Sequence, residues 1–211
     1  MLDAVATFGL LAFTSFLSII DPIGIMPVYL SMTSSLTGQE RRKTARKAVI
    51  VAFIAIVIFA FGGQFIFKFF SISVNSLRVV GGIIFFMMGY DMLQARLTRT
   101  NVDENIKKQY INDISVTPLA IPMLCGPGAI ANAIVLMEDA SNLEMQLILI
   151  AAIAAVLIIT YISLIGASKA TKFFGEVGTK IMMRLMGLII MVIAVEFFFS
   201  GLKPIIKDIL K

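Results

Sequence analysis

Long uncharged runs separated by short charged stretches dominate the chain. Positions 48–67, AVIVAFIAIVIFAFGGQFIF, are uncharged over 20 residues, and positions 145–166, MQLILIAAIAAVLIITYISLIG, over 22. Each is about 30 Å long as a helix, one hydrocarbon thickness. The pattern predicts six membrane-spanning segments, at 4–36, 48–67, 74–93, 117–137, 145–166 and 181–202. The first is anomalous. About 50 Å as one straight helix, it exceeds a bilayer, and its middle reads SIIDPIGIMPVYL, with a carboxylate, two prolines and a glycine.

Composition agrees with the membrane reading. Hydrophobic residues make up 59 % of the 211 and charged residues 15 %, and the mean hydropathy is +0.96. A soluble domain is nearer half apolar and a quarter charged. The start MLDAVATFGLLAF lacks a basic leader and runs into the first apolar segment, so it reads as a retained membrane helix. The chain has no histidine and one cysteine. Histidine-based triads, HExxH zinc sites and intrachain disulfides are therefore ruled out, and no metal or cofactor is expected.

The net charge of +5 does not point to nucleic acid. Counting flanking arginines, the five connections carry 5, 2, 4, 0 and 4 basic residues. The positive-inside rule places the first, third and fifth in the cytoplasm. The expected protein is multi-pass in the cell (inner) membrane, with the lipid bilayer as partner and both termini outside. Lys203, Lys207 and Lys211 in the tail are a minor dissent.

The two halves echo each other. Asp21-Pro22 corresponds to Gly126-Pro127 at an offset of 105, Arg78 to Arg184 and Gly81 to Gly187 at 106, and Asp91 to Glu196 at 105. Three spans per half is an odd number, so the second half enters the membrane inverted, as in many secondary transporters. The expected fold is all-α: six transmembrane helices as two inverted three-helix repeats, the first helix of each discontinuous. The division is 1–95 for the first repeat, 96–115 for a cytoplasmic connection and 116–211 for the second repeat.

Both breaks have a local cause. Pro22 lacks an N–H and clashes with the preceding turn, Gly24 admits any backbone geometry, and Pro27 suits the first turn of a resumed helix. PMLCGPGAI repeats the logic, with Pro122 followed by Gly126-Pro127-Gly128. Backbone groups freed at membrane depth must face protein or a cavity, where they can bind a solute. A plain proline kink is the alternative for either break alone. Asp21 has three readings: substrate ligand, coupling-ion site or helix cap. Ile23, Cys125, Asn132 and Ser18 complete the candidate set; Asn132 and Ser18 also suit helix-packing polar groups, and Cys125 a small packing residue.

IIDPIGIMPVYLSMT and TPLAIPMLCGPGAI together resemble the paired signature of the MarC family, which includes small neutral amino acid transporters, and the likeness covers essentially the whole chain. The resemblance implies a secondary transporter of the glycine and alanine class, with Asp21, Pro22, Gly24, Gly126, Pro127 and Gly128 at its two motifs. Ile25 stands where the family motif usually has asparagine, and Cys125 where alanine is frequent. A half-helix start suits a carboxylate, and carbonyls freed before the prolines, with Asp21, suit an ammonium. The coupling ion, proton or sodium, and any homo-oligomer are left open.

Spans three and six each carry an arginine near the start and an acid later. Antiparallel packing would bring Arg78 toward Glu196 and Asp91 toward Arg184, two ion pairs that could gate access; the alternative is four charges at the membrane interfaces. A channel, or an exporter for another small solute, is the competing function. An intramembrane aspartyl enzyme using Asp21 and Asp91 is the remote one. It lacks a Gly-x-Gly-Asp signature.

Overall fold

The computed structural model describes residues 2–33, 36–94 and 114–210. Among these residues seven helical elements follow one another: α1 (Leu2–Ile20), α2 (Ile25–Met32), α3 (Gly38–Phe69), α4 (Val74–Leu93), α5 (Ser115–Leu124), α6 (Pro127–Asp139) and α7 (Leu143–Ile209). The connection expected at 96–115 falls almost entirely outside the described residues.

Among the described residues, four helical stretches are long and apolar enough to cross a bilayer: α3, α4, and Leu143–Ala167 and Gly187–Ile209 within α7. The pair α5–α6, bent by 55°, makes a fifth if counted as one span. Val5–Ile20 of α1 is apolar but shorter, because the break at Asp21 splits the first apolar segment. The protein is thus an all-α membrane protein with four to five candidate spans. The six-span inverted repeat goes further than these helices establish.

Span boundaries follow local chemistry. α3 begins ten residues before the apolar run because Thr37 and Glu40 form a capping box: Thr37 N–H donates to the Glu40 carboxylate (2.7 Å) and Glu40 N–H to the Thr37 hydroxyl (3.4 Å). α4 starts at Val74 because Ser73 Oγ accepts from Ser76 N–H at 3.0 Å. The stretch expected as a loop between spans five and six has helical backbone, within the 67 residues of α7. That helix is not a straight rod. Ile148 touches α1 at Gly9, while Phe197 meets Ile19 around Gly128. Positions 9 and 19 are about 15 Å apart along α1, whereas 148 and 197 would be about 74 Å apart along a straight helix. α7 therefore doubles back between these contacts.

The core is built on small residues that admit close helix approach. Ala45, Ala48, Ala52, Ile56, Ala60 and Gly63 form the buried stripe of α3, and Gly63 lies against Ile134 of α6. α4 runs antiparallel to the end of α7. Gly89 meets Gly187, Gly82 meets Ala194 and Phe198, and Gly201 meets Asn75 and Arg78. A Cβ on Gly89 would stand 2.6 Å from the Gly187 carbonyl, and one on Gly187 2.6 Å from the Gly89 carbonyl. The seam closes because both positions lack side chains. α2 is tied to the start of α3 by polar contacts: the Tyr29 hydroxyl donates to the Arg41 carbonyl (2.7 Å), and Arg41 Nε donates to the Thr33 carbonyl (2.9 Å).

Candidate functional site

The first break ends α1 with Asp21 N–H donating to the Leu17 carbonyl at 3.1 Å. Asp21 then takes a left-handed backbone, φ 44°, a conformation that Asp and Asn tolerate better than most residues. Its Oδ1 accepts from Gly24 N–H at 3.0 Å, capping the resumed helix α2. A Cβ on Gly24 would collide with that same carboxylate. Asp21 and Ile23 are exposed, Pro22 is buried and Gly24 half-buried. Of the three readings of Asp21, helix cap is the one realised by a hydrogen bond.

The second break is built differently. Thr117 and Ile121 have extended backbone inside α5, each before a proline, at Pro118 and Pro122, as X-Pro sterics favour. Cys125 N–H reaches five residues back to the Ala120 carbonyl, 2.8 Å. Gly126 is the N-cap of α6 without a side-chain cap, and Pro127 occupies its first turn. The first turn of a helix leaves N–H groups without intrahelical partners. The two helix starts therefore differ: Asp21 covers that of α2, and no side chain caps that of α6. Cys125, Gly126 and Pro127 are buried.

The segments flanking the two breaks meet. An added Cβ on Gly128 would lie 3.3 Å from Ile19 and 3.1 Å from Phe197. One turn away, Asn132 Nδ2 donates to Ser15 Oγ at 3.0 Å, and the Ser15 hydroxyl donates to the Ala12 carbonyl at 3.1 Å. Moving back one turn on α1, from Ile19 to Ser15, moves forward one turn on α6, from Gly128 to Asn132. The segments flanking the breaks therefore cross antiparallel. Pro127 packs against Gly81 of α4, and Phe85 lies over Gly126. Phe85 and Phe197 lie beside each other, tilted by 56° with centroids 6.1 Å apart.

Asn132 thus sits at this crossing, half-buried, while Ser18 is exposed. Ser15 is the residue sequence reasoning missed. A signal existed: Ser15 lies six residues before Asp21 and Asn132 six after Gly126, mirror positions about the two breaks. The antiparallel register of α4 and α7 sets Arg78 level with Gly201, about one helical turn from Glu196, and Asp91 level with Gly187, about one turn from Arg184. Among the described residues neither pair is closed as an ion pair.

Among the described residues, no cluster of His, Cys, Asp and Glu is placed to hold a metal ion. A cavity of about 180 Å³ on the α4–α7 seam is lined by Gly82, Ile83, Phe86, Met87, Ala194 and Phe198 among others. Its apolar walls offer a charged solute no partner.

Comparison with known proteins covers nearly the whole chain. Residues 6–206 match the MarC family integral membrane proteins. A UPF0056 membrane protein of Pyrococcus horikoshii is 36 % identical over 203 residues, 96 % of this chain and 98 % of the relative. Another, from Methanocaldococcus jannaschii, is 36 % identical over 197 residues, 93 % and 96 % of the two chains. The UPF0056 membrane protein YvbG of Bacillus subtilis is 36 % identical over 194 residues, 90 % and 92 %. No solved structure matches. With two broken apolar segments, a multi-span helical body and this end-to-end likeness, the chain belongs to the MarC family of integral membrane proteins.

Proposed function

We propose that the protein is a secondary transporter of small neutral amino acids of the glycine and alanine class, working by alternating access around the crossing of α1 and α6. One observation carries the reading: the segments flanking the two breaks cross antiparallel, with Ile19 on Gly128 and Ser15 hydrogen-bonded to Asn132. Broken helices meeting between inverted halves are where such transporters hold their solutes.

The local chemistry supports a zwitterion. The start of α6, without a side-chain cap, offers N–H groups and the positive end of a helix dipole to a carboxylate. The Asn132 carboxamide oxygen has no hydrogen-bond partner among the described residues and suits an ammonium. Phe85 packs on Gly126, and Ile19 and Phe197 pack on Gly128, so the space their parting would open suits only a small solute. In this reading the repeats are 1–95 and 116–211, the basic connections face the cytoplasm and both termini lie outside. Arg78, Glu196, Asp91 and Arg184, one turn out of register here, would close their pairs in another state. The coupling ion is a proton or sodium.

The runner-up is a channel or an exporter for another small solute, since broken helices also build pores. Reconstitution into liposomes separates them. A carrier loaded with unlabelled glycine accumulates labelled glycine by counterflow, saturably and with competition by alanine. Flux without counterflow or saturation, or none for any small neutral amino acid, contradicts the proposal.

A further inference from the structure

The exposed surface of α3 is one continuous stripe. Ile50, Ile54, Ile58, Phe61, Phe65 and Phe69 are all exposed, each three or four residues from the next. The opposite face holds the buried alanines that pack on the core, so the stripe faces lipid. From Ile50 to Phe69 it measures about 28 Å, against about 30 Å for the hydrocarbon layer. The apolar layer therefore ends near Ile50.

The same stripe continues into charge. Arg46 is one turn before Ile50, and Lys43 and Arg42 are about two turns before it; all three are exposed. Arg46 stands about 6 Å beyond the apolar boundary, within a headgroup layer about 5 to 8 Å thick. Lys43 and Arg42 stand about 10 to 12 Å beyond it, and their side chains are long enough to reach back to that layer. The nearest carboxylate is engaged elsewhere: Glu40 accepts from the Thr37 N–H and hydroxyl at 2.7 and 2.8 Å. Arg41 reaches away, to the Thr33 carbonyl. Arg42, Lys43 and Arg46 have no hydrogen-bond or ion-pair partner among the described residues. Three like charges within five residues repel one another until an anion joins them.

We propose that Arg42, Lys43 and Arg46 bind the headgroup phosphate of an anionic phospholipid whose acyl chains lie along the Ile50–Phe69 stripe. The apolar stripe running straight into the cations favours a lipid over a soluble phosphate. A soluble anion would use the charges alone. This site is separate from the α1–α6 crossing and does not depend on the transport reading.

The test uses the full chain in bilayer nanodiscs of phosphatidylcholine with small amounts of spin-labelled phosphatidylglycerol or phosphatidylcholine. The immobilised fraction of each gives their relative association constants. Each cation near the surface contributes up to about fivefold in affinity, so wild type should prefer phosphatidylglycerol by at least about threefold. Combined Arg42→Gln, Lys43→Gln and Arg46→Gln should bring the ratio close to one. If the triple variant does not fold, Arg46→Gln alone should lower the ratio measurably. The proposal is overturned if wild type has no preference, or if these variants keep the wild-type ratio. It is also overturned if Lys203→Gln with Lys207→Gln lowers the ratio as far, or if glycerol 3-phosphate in solution displaces the labelled lipid.

Discussion

Asp21 concentrates the residue-scale problem. A carboxylate within an apolar segment suggests function by default, yet its side chain caps α2 and its backbone is left-handed. Both demands are met by asparagine, which accepts the same hydrogen bond and tolerates the same conformation. Asp21→Asn should therefore retain thermal stability and gradient-driven uptake. Asp21→Ala loses the cap and pays left-handed strain, together about 2 to 3 kcal/mol, visible as a lower melting temperature in detergent. An Asp21→Asn protein that binds solute but loses gradient-driven uptake would show instead that the carboxylate carries the coupling ion. The sequence supplied the three readings of Asp21 but not the hydrogen bond of the cap. That bond depends on where one side-chain oxygen points, and the Asp-Pro-x-Gly spacing suits a cap as well as a site. Ser15 was hidden for a related reason. A lone serine in an apolar helix normally bonds its own backbone, as Ser15 also does to Ala12, and its second partner lies 117 positions away.

At the scale of elements, the breaks were the most legible feature, because proline and glycine disrupt helices by local geometry alone. α4 was legible to the residue, since an apolar run and a serine cap coincide there. α3 was read ten residues short because hydropathy sees the apolar run and not the polar helical turns before it. The helical backbone between the two apolar runs of α7 was not legible: a polar stretch between two apolar runs reads as a loop whether or not its backbone is helical. Two contacts between elements can be tested. In a Cys125→Ala background, Ser15→Cys with Asn132→Cys should form a disulfide on mild oxidation, detected by an electrophoretic shift, whereas Ser18→Cys with Asn132→Cys should not. On the α4–α7 seam, Gly89→Ala forces a methyl onto the Gly187 backbone. It should cost about 1 to 3 kcal/mol, read as a clear drop in melting temperature. Gly62→Ala, which meets only the end of Ile66 at 4.0 Å, should be nearly neutral.

For the whole molecule, charge distribution and symmetry make the claims. The alternation of basic connections predicts that a reporter fused after Lys211 is active outside the cytoplasm, and one inserted at position 103 is active inside it. The reverse pattern would invert the orientation and turn the Arg42–Arg46 cluster to the other leaflet. The proposed symmetry makes a stronger statement, and the antiparallel crossing of α1 and α6 and the antiparallel α4–α7 seam are compatible with it. In an inverted pair the two breaks become halves of one site, although Asp21 closes one helix start and no side chain caps the other. The most direct test of that claim is equilibrium binding of labelled glycine to the purified protein, wild type against Asn132→Leu. The account predicts saturable binding by wild type and at least a tenfold weaker Kd in Asn132→Leu, with the melting temperature little changed. Equal affinity in the two proteins would contradict it.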